Sequence, residues 1–196
     1  VVRQGGGQRL GLGGSDGDGT GNVAGVVALG AHVDENDIGP RHDIGDGANG
    51  GMLALTMSGA GTWTLTSSSI NTYTGATTVS AGRLLINGST ASGSAVSVGG
   101  TTATGTPTLG GVGTIAGATT IAAAGDGVVG THAPGGPGVT NGVGTQTFSN
   151  TLTYGSGSIF EWNLQAASTT DPGEVSNTGT GTYDKVVASG GSCAVT

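Results

Sequence analysis

Short apolar runs, broken by glycine every few residues, decide what this chain can fold into. In Thr62-Trp63-Thr64-Leu65-Thr66, Trp63 and Leu65 point one way and the three threonines the other. The same period of two recurs in Thr77-Thr78-Val79, Arg83-Leu84-Leu85-Ile86, Ala95-Val96-Ser97-Val98, Thr119-Thr120-Ile121 and Thr151-Leu152-Thr153-Tyr154. It returns in the stretch 158–164, where Phe160, Trp162 and Leu164 share a face, and in Lys185-Val186-Val187. Alternation of this kind marks half-buried strands, and threonine and valine, stiff at χ1, suit a pleated surface. Between the runs stand Gly75-Ala76, Ala81-Gly82, Asn87-Gly88, Gly99-Gly100, Gly110-Gly111 and Ser156-Gly157. A glycine inside a helix costs about 1 kcal/mol relative to alanine. With glycine at this frequency no stretch of ten residues keeps helical spacing, so the expectation is an all-β fold.

Glycine makes up 44 of the 196 residues and charged residues 9%, a composition that elsewhere goes with linkers or disorder. The alternating placement of the apolar 34% argues against that here. A sandwich wants longer strands and bulkier core residues. Strands of three or four residues with frequent corners and small side chains suit a parallel β-helix (β-solenoid), each coil lending one short strand to each of several stacked sheets. At about 20–25 residues per coil the chain makes roughly eight to ten coils. At about 4.8 Å per coil the rod is on the order of 40–50 Å long. The expectation is one solenoid domain over 1–196. Within it, 44–190 is repeat-like, and 1–43 holds N-terminal coils with a polar acidic insert.

The net charge of −7 opposes nucleic-acid binding and attraction to an anionic membrane surface. No apolar run approaches the roughly 18 residues of a transmembrane helix, so no membrane insertion is expected of this chain. A single cysteine, Cys193, has no internal disulfide partner. It reads as a small buried residue near the terminus, the alternative being a bridge between chains.

The central segment reads Gly59-Ala60-Gly61-Thr62-Trp63-Thr64-Leu65, then Asn71-Thr72-Tyr73-Thr74-Gly75-Ala76-Thr77-Thr78-Val79, then Ser80-Ala81-Gly82-Arg83-Leu84-Leu85-Ile86-Asn87-Gly88. In this it resembles the autotransporter-associated β-strand repeat, also called the passenger-associated transport repeat. Thr108-Leu109-Gly110-Gly111-Val112-Gly113-Thr114-Ile115 is similar to the coil that commonly follows in that family. His132-Ala133-Pro134-Gly135-Gly136-Pro137-Gly138 is similar to its L-x-P-G-x-x-P-G turn, with His132 and Gly136 departing from the commoner residues. The resemblance implies a right-handed parallel β-helix, exported and displayed outside a bacterial cell. It implies no activity.

Chemistry-bearing residues are sparse. The acidic concentration is His32-Val33-Asp34-Glu35-Asn36-Asp37, followed by Arg41-His42-Asp43 and Asp46. It reads first as a solvated insert between coils. A calcium site built on the oxygen ligands of Asp34, Asp37 and Asp43, with His42 nearby, is the second reading. Gly14-Ser15-Asp16-Gly17-Asp18-Gly19 reads as a turn, since calcium-binding Gly/Asp repeats work in tandem. His132 reads as a turn residue and Glu161 as solvent-facing, while Asp171, Glu174 and Asp184 are dispersed around a loop. No facing carboxylate pair suggests glycoside cleavage, and no nucleophile stands in a triad context. Catalytic and cofactor residues are therefore expected to be none, and the chain is not expected to be an enzyme. Trp63, Tyr73, Tyr154 and Trp162 read as coil-stacking aromatics, or alternatively as a platform for polysaccharide. The function expected is an extracellular structural solenoid, a subunit of a filament, stalk or surface layer that self-associates end to end or by strand exchange. A surface adhesin or polysaccharide-binding module is the alternative, and a carbohydrate-active enzyme the remote one.

Overall fold

The structure, a computed structural model, describes residues 44–46, 52–66, 70–136, 142–164 and 183–196 in full, and the backbone pairing of 2–3, 9–10 and 25–29. Among them there is no α-helix, and three parallel sheets wrap a common interior. The seven-stranded sheet stacks, in order, Gly25–Leu29, Leu53–Met57, Thr77–Val79, Val96–Val98, Thr119–Ile121, Leu152–Tyr154 and Cys193–Val195. The five-stranded sheet stacks Thr62–Leu65, Arg83–Ile86, Thr108–Gly111, Thr131–Pro134 and Ile159–Phe160. The three-stranded sheet stacks Thr114–Ile115, Thr145–Phe148 and Lys185–Ala188, and single bridges from Ile70 to Ser89 and from Ser89 to Thr114 extend it. Each turn of the chain visits the three sheets in that order, which is the β-solenoid that the alternation predicts. Apart from these, Val2–Arg3 pairs antiparallel with Arg9–Leu10.

Register turns the coils into columns. One interior column of the seven-stranded sheet runs Leu55, Thr77, Val96, Thr119, Leu152, Cys193, and the next runs Met57, Val79, Val98, Ile121, Tyr154, Val195. The five-stranded sheet contributes Trp63, Leu84, Leu109, His132, Phe160, and the three-stranded sheet Ile115, Phe148, Ala188. Most of these side chains form one continuous core. Each aliphatic buried there is worth about 1.5–3 kcal/mol. The intervening outward column, Thr56, Thr78, Ser97, Thr120, Thr153, makes a ladder of hydroxyls that solvates the surface without charge. Threonine is not confined to the outside, however. Thr77 and Thr119 are buried in the interior column. Both are hydrogen-bonded: Thr77 with Tyr73 Oη at 2.7 Å and Ser94 Oγ at 3.0 Å, Thr119 to Gly117 C=O at 3.3 Å.

Corners explain the glycines and the asparagines. A Cβ on Gly117 would lie 1.8 Å from the Ser94 carbonyl oxygen of the coil below, so no other residue lets the coils approach there. Gly82 adopts φ of +66°, the left-handed conformation that turns the chain from one sheet into the next. Where a corner leaves a backbone N–H without a strand partner, a side chain from the adjacent coil supplies the acceptor. Buried Asn71 accepts from Ile44 N–H at 3.0 Å and donates to Ser89 C=O at 2.8 Å, joining three coils. Asn87 accepts from Val112 N–H at 3.1 Å, and Asp46 from Leu53 N–H at 2.8 Å.

Coil length departs from the even spacing expected. Registered positions are separated by 22 residues from Leu55 to Thr77, 19 from Thr77 to Val96, and 23 from Val96 to Thr119. The next two coils take 33, from Thr119 to Leu152, and 41, from Leu152 to Cys193. The extra length falls between the five-stranded and the three-stranded sheet, in 135–144 and 161–184, where an insertion leaves the strands and the core undisturbed. Among the described residues the longest sheet stacks seven strands, and the coils between them are longer on average than the 20–25 residues expected. The expected strand over 158–164 also shortens to Ile159–Phe160, because the chain leaves the sheet after Phe160 to close a polar clasp.

Candidate functional site: the uncovered last coil

All three sheets end together. Ile159–Phe160, Lys185–Ala188 and Cys193–Val195 are the outermost strands of their sheets, and all belong to the last described coil. Along the column Val79, Val98, Ile121, side chains are fully buried, but Val195 at the end is 80% exposed. Leu84, Leu109 and His132 are fully buried, and Phe160 above them is 44% exposed. Ala188 and Cys193 end their columns exposed as well, and Val186 half-buried. Ile159, Trp162, Leu164 and Val187 of the same coil are also exposed large apolar residues. The interior-facing Phe160, Ala188, Cys193 and Val195 have no described coil stacked over them. Cys193, expected to be buried, is a free, exposed thiol for the same reason: it points inward, and nothing in the described coils lies over it.

The backbone of the last strand is open too. Leu152 N–H donates to Ser192 C=O and Thr196 N–H to Tyr154 C=O, both at 2.9 Å. Alternate residues of a parallel strand turn their N–H and C=O to the same neighbour. The peptide groups of Cys193 and Val195 therefore point away from the ladder, toward the free edge.

Beneath the last described coil lies a polar network that the sequence did not announce. His132, expected in a turn, sits inside strand Thr131–Pro134 and is fully buried. Gln146 donates from Nε2 to Gly110 C=O at 2.7 Å, which turns its Oε1 toward His132 Nε2 at 2.8 Å. His132 Nε2 therefore carries the proton, and Nδ1 accepts from Tyr154 Oη at 2.5 Å. Phe148 meets the imidazole edge-on at 5.4 Å, and Phe160 lies 5.5 Å away. Burial, partly offset by the Gln146 hydrogen bond, lowers the His132 pKa from 6.5 to about 4. Burial, with a smaller contribution from the Cys193 thiol, raises that of Tyr154 above the ordinary phenol value. The imidazole is thus held neutral, bonded at both nitrogens.

A second cluster closes the long insertion of the last coil. Asp184, expected on a dispersed loop, is buried: its Oδ1 accepts from Gly144 N–H at 2.8 Å, and its Oδ2 from Asn163 N–H at 2.7 Å and Asn163 Nδ2 at 3.0 Å. Trp162 Nε1 donates to Asp184 C=O at 2.9 Å, which fixes the indole beside Tyr183 with ring centres 6.2 Å apart. Glu161 is half-exposed, as expected, and lies 3.9 Å from Arg83.

Of the expected aromatics, Trp63 and Tyr73 are buried between coils, Tyr154 is partly buried, and Trp162 is half-exposed. A four-ring polysaccharide platform is therefore not assembled. Asp16, Asp18, Asp34, Asp37, His42, Asp43, Asp171 and Glu174 lie outside the described residues. Asp46 lies within them as a staple. It accepts from Leu53 N–H, from Thr74 Oγ1 at 2.6 Å and from Thr74 N–H at 3.1 Å, bonds that hold its carboxyl below the usual range. Among the described residues, no group of three or more His, Cys, Asp or Glu side chains could hold a metal ion.

Comparison with known proteins agrees with the central columns. The passenger-associated-transport-repeat family matches residues 55–86. That span begins in Leu53–Met57, passes through Thr62–Leu65 and Thr77–Val79, and ends with Arg83–Ile86. No curated protein and no solved structure matches the chain. Repeats of this type occur in autotransporter passenger regions, which are secreted or displayed at the cell surface. Residues 55–86 of this chain match the passenger-associated-transport-repeat model and are folded as one coil of the solenoid and the beginning of the next.

Proposed function

We propose that this chain is an extracellular structural β-solenoid, a length of filament, stalk or surface layer that joins to its neighbours end to end or by exchange of a terminal strand. One observation carries the reading: successive coils stack in register as parallel sheets over one continuous core, an architecture that extends along its axis by adding coils. An asymmetric end contact that does not close on itself generates a fibre rather than a ring. The function needs no catalytic residues, and none is assigned. The test is light scattering of the purified chain over a wide concentration range. Mass should grow with concentration without settling at a fixed oligomer, whereas a constant monomer mass at the highest concentration would remove the reading.

One observation favours polysaccharide contact as a second reading. Trp162 is locked by its bond to Asp184 yet half-exposed beside Tyr183, an arrangement on which a pyranose ring could stack. Titration of Trp162 fluorescence with cellohexaose tests it. A saturable change lost in Trp162→Ala supports the reading, and an unchanged spectrum removes it.

A further inference from the structure

One hydrogen-bonded network inside the solenoid ties three successive coils together, and its middle member is a base. Gln146 reaches down to Gly110 C=O at 2.7 Å and across to His132 Nε2 at 2.8 Å. His132 Nδ1 reaches the other way, to Tyr154 Oη of the next coil at 2.5 Å. The imidazole stands in the interior column between Leu109 and Phe160, and the rings of Tyr154 and Phe160 cover it from that next coil at 5.8 and 5.5 Å. The ladder beside it is also shorter on that side. Thr131–Pro134 has four residues in register with Thr108–Gly111 but two with Ile159–Phe160.

A proton can enter this network at one place. Nε2 already donates to Gln146, a bond that a positive charge would strengthen. Nδ1 accepts from Tyr154, so a proton there opposes the phenol proton and breaks the bond between the coils. No neighbouring strand offers the charge a partner. Thr108–Gly111, Thr145–Phe148, Leu152–Tyr154 and Ile159–Phe160 contain no acidic residue. The titratable groups on the side of the next coil are the Tyr154 phenol and, beside it, the Cys193 thiol. Glu161 donates its N–H to His132 C=O at 2.8 Å, but its carboxylate lies 3.9 Å from Arg83. The Asp184 carboxylate is taken up by Gly144 and Asn163. A buried, unpaired imidazolium must reach water, and the rings that stand between Nδ1 and water from the next coil are Tyr154 and Phe160.

We propose that this network is an acid-operated joint: a proton on His132 parts the coil of Tyr154 and Phe160 from the coil of His132, while the coils from Leu53 to Ile115 stay closed. The joint goes beyond the structural reading above and does not depend on what the solenoid assembles into. Burial lowers the His132 pKa from 6.5 to about 4, so the parted state binds the proton more readily than the closed one. Closure is complete above pH 6.5 and is lost as the pH falls toward 4. Among the described residues of the lower coils, the interior holds no histidine or carboxylate, and its hydroxyl network of Tyr73, Thr77 and Ser94 takes up no proton in this range. Asp46, which staples a corner there, acts below 3.8.

The chain has two tryptophans, and they stand on opposite sides of the joint: Trp63 in the lower column and Trp162 in the coil above. Trp63→Phe leaves Trp162 as the sole indole, and Trp162→Phe leaves Trp63. Emission of each single-tryptophan chain is followed as the pH is lowered from neutral. The Trp162 midpoint should fall between pH 6.5 and 4, about half a pH unit or more above that of Trp63. His132→Leu should bring the two midpoints together. Tyr154→Phe guards against a folding defect in that variant. It keeps the ring and removes the bond that favours the neutral imidazole, so the Trp162 midpoint should rise.

Coincident midpoints in the two single-tryptophan chains overturn the joint. An early Trp162 change that persists in His132→Leu overturns it in favour of the carboxylates of Glu161 and Asp184. A Trp162 midpoint that Tyr154→Phe leaves in place or lowers overturns it as well, because the bond between the coils would then not hold them closed.

Discussion

Acid should loosen this solenoid through one side chain, and the amount can be worked from the structure. His132 is fully buried, with its two nitrogens engaged by Gln146 and Tyr154, and its pKa falls from 6.5 to about 4. The folded state binds the proton less readily than the unfolded chain. Stability from this group is therefore complete above pH 6.5 and is lost as the pH falls toward 4. A difference of about 2.5 units, at roughly 1.36 kcal/mol each, gives a total loss of about 3 kcal/mol, of which about 2 is gone by pH 5. That is a large part of the roughly 5–15 kcal/mol that holds an ordinary domain folded. Asp46, with its lowered carboxyl pKa, acts below its ordinary value of 3.8 and leaves this window clear. The assay is urea unfolding between pH 5 and 7.5, followed by far-ultraviolet circular dichroism, for the native chain and for His132→Leu. Leucine suits a column that already holds Leu84 and Leu109. It leaves Gln146 and Tyr154 each short of a partner, at a cost of about 1–3 kcal/mol at neutral pH. Its stability should nonetheless vary much less between pH 7 and 5. Equal pH slopes in the two proteins, or a flat profile in the native chain, would refute the buried neutral imidazole.

Other perturbations have equally definite outcomes. Asp184→Ala strands the N–H groups of Gly144 and Asn163 and should cost about 1–3 kcal/mol in urea unfolding. The same change should also raise acrylamide quenching of Trp162 in a Trp63→Phe background, because without the carboxylate's bonds to Gly144 and Asn163 the backbone whose carbonyl at 184 holds the indole is no longer fixed. Gly117→Ala sets a methyl group against the Ser94 carbonyl and should lower stability by about 1–3 kcal/mol or prevent folding. Gly125→Ala, with nothing within 4 Å of the new methyl group, should be nearly silent in the same assay. Cys193 should react fully with a thiol reagent in the native dilute protein, and assembly should slow that reaction.

The fold was legible because its rules are local. Alternation in Thr62–Leu65 and Val96–Val98 and glycine at corners such as Gly82 and Gly117 are dictated by the strand and the turn themselves. Coil count was not legible, since insertions such as those lengthening the last two coils leave no trace in the period of the strands. The site was hidden for a related reason. His132, Gln146 and Tyr154 come from three strands in two coils, and only the stacking brings them together. One signal was available: His132 stands where the repeat's turn commonly has leucine, and a polar replacement at an apolar position calls for partners. Asp184 and Asn163 are separated by an insertion, so nothing local marks them as a clasp. Cys193 stands in the interior column of Leu152 with no described coil over it, and its exposure depends on the stack rather than on any local segment.

Cryo-electron microscopy of the untreated chain at modest concentration tests the central claim most directly. The account predicts unbranched filaments in which each copy adds at least its seven described strands at about 4.8 Å apiece, an axial repeat of no less than about 35 Å. Cross-strand density should continue unbroken through the junction between copies. Discrete single solenoids, or closed pairs joined at their last coils, would contradict it.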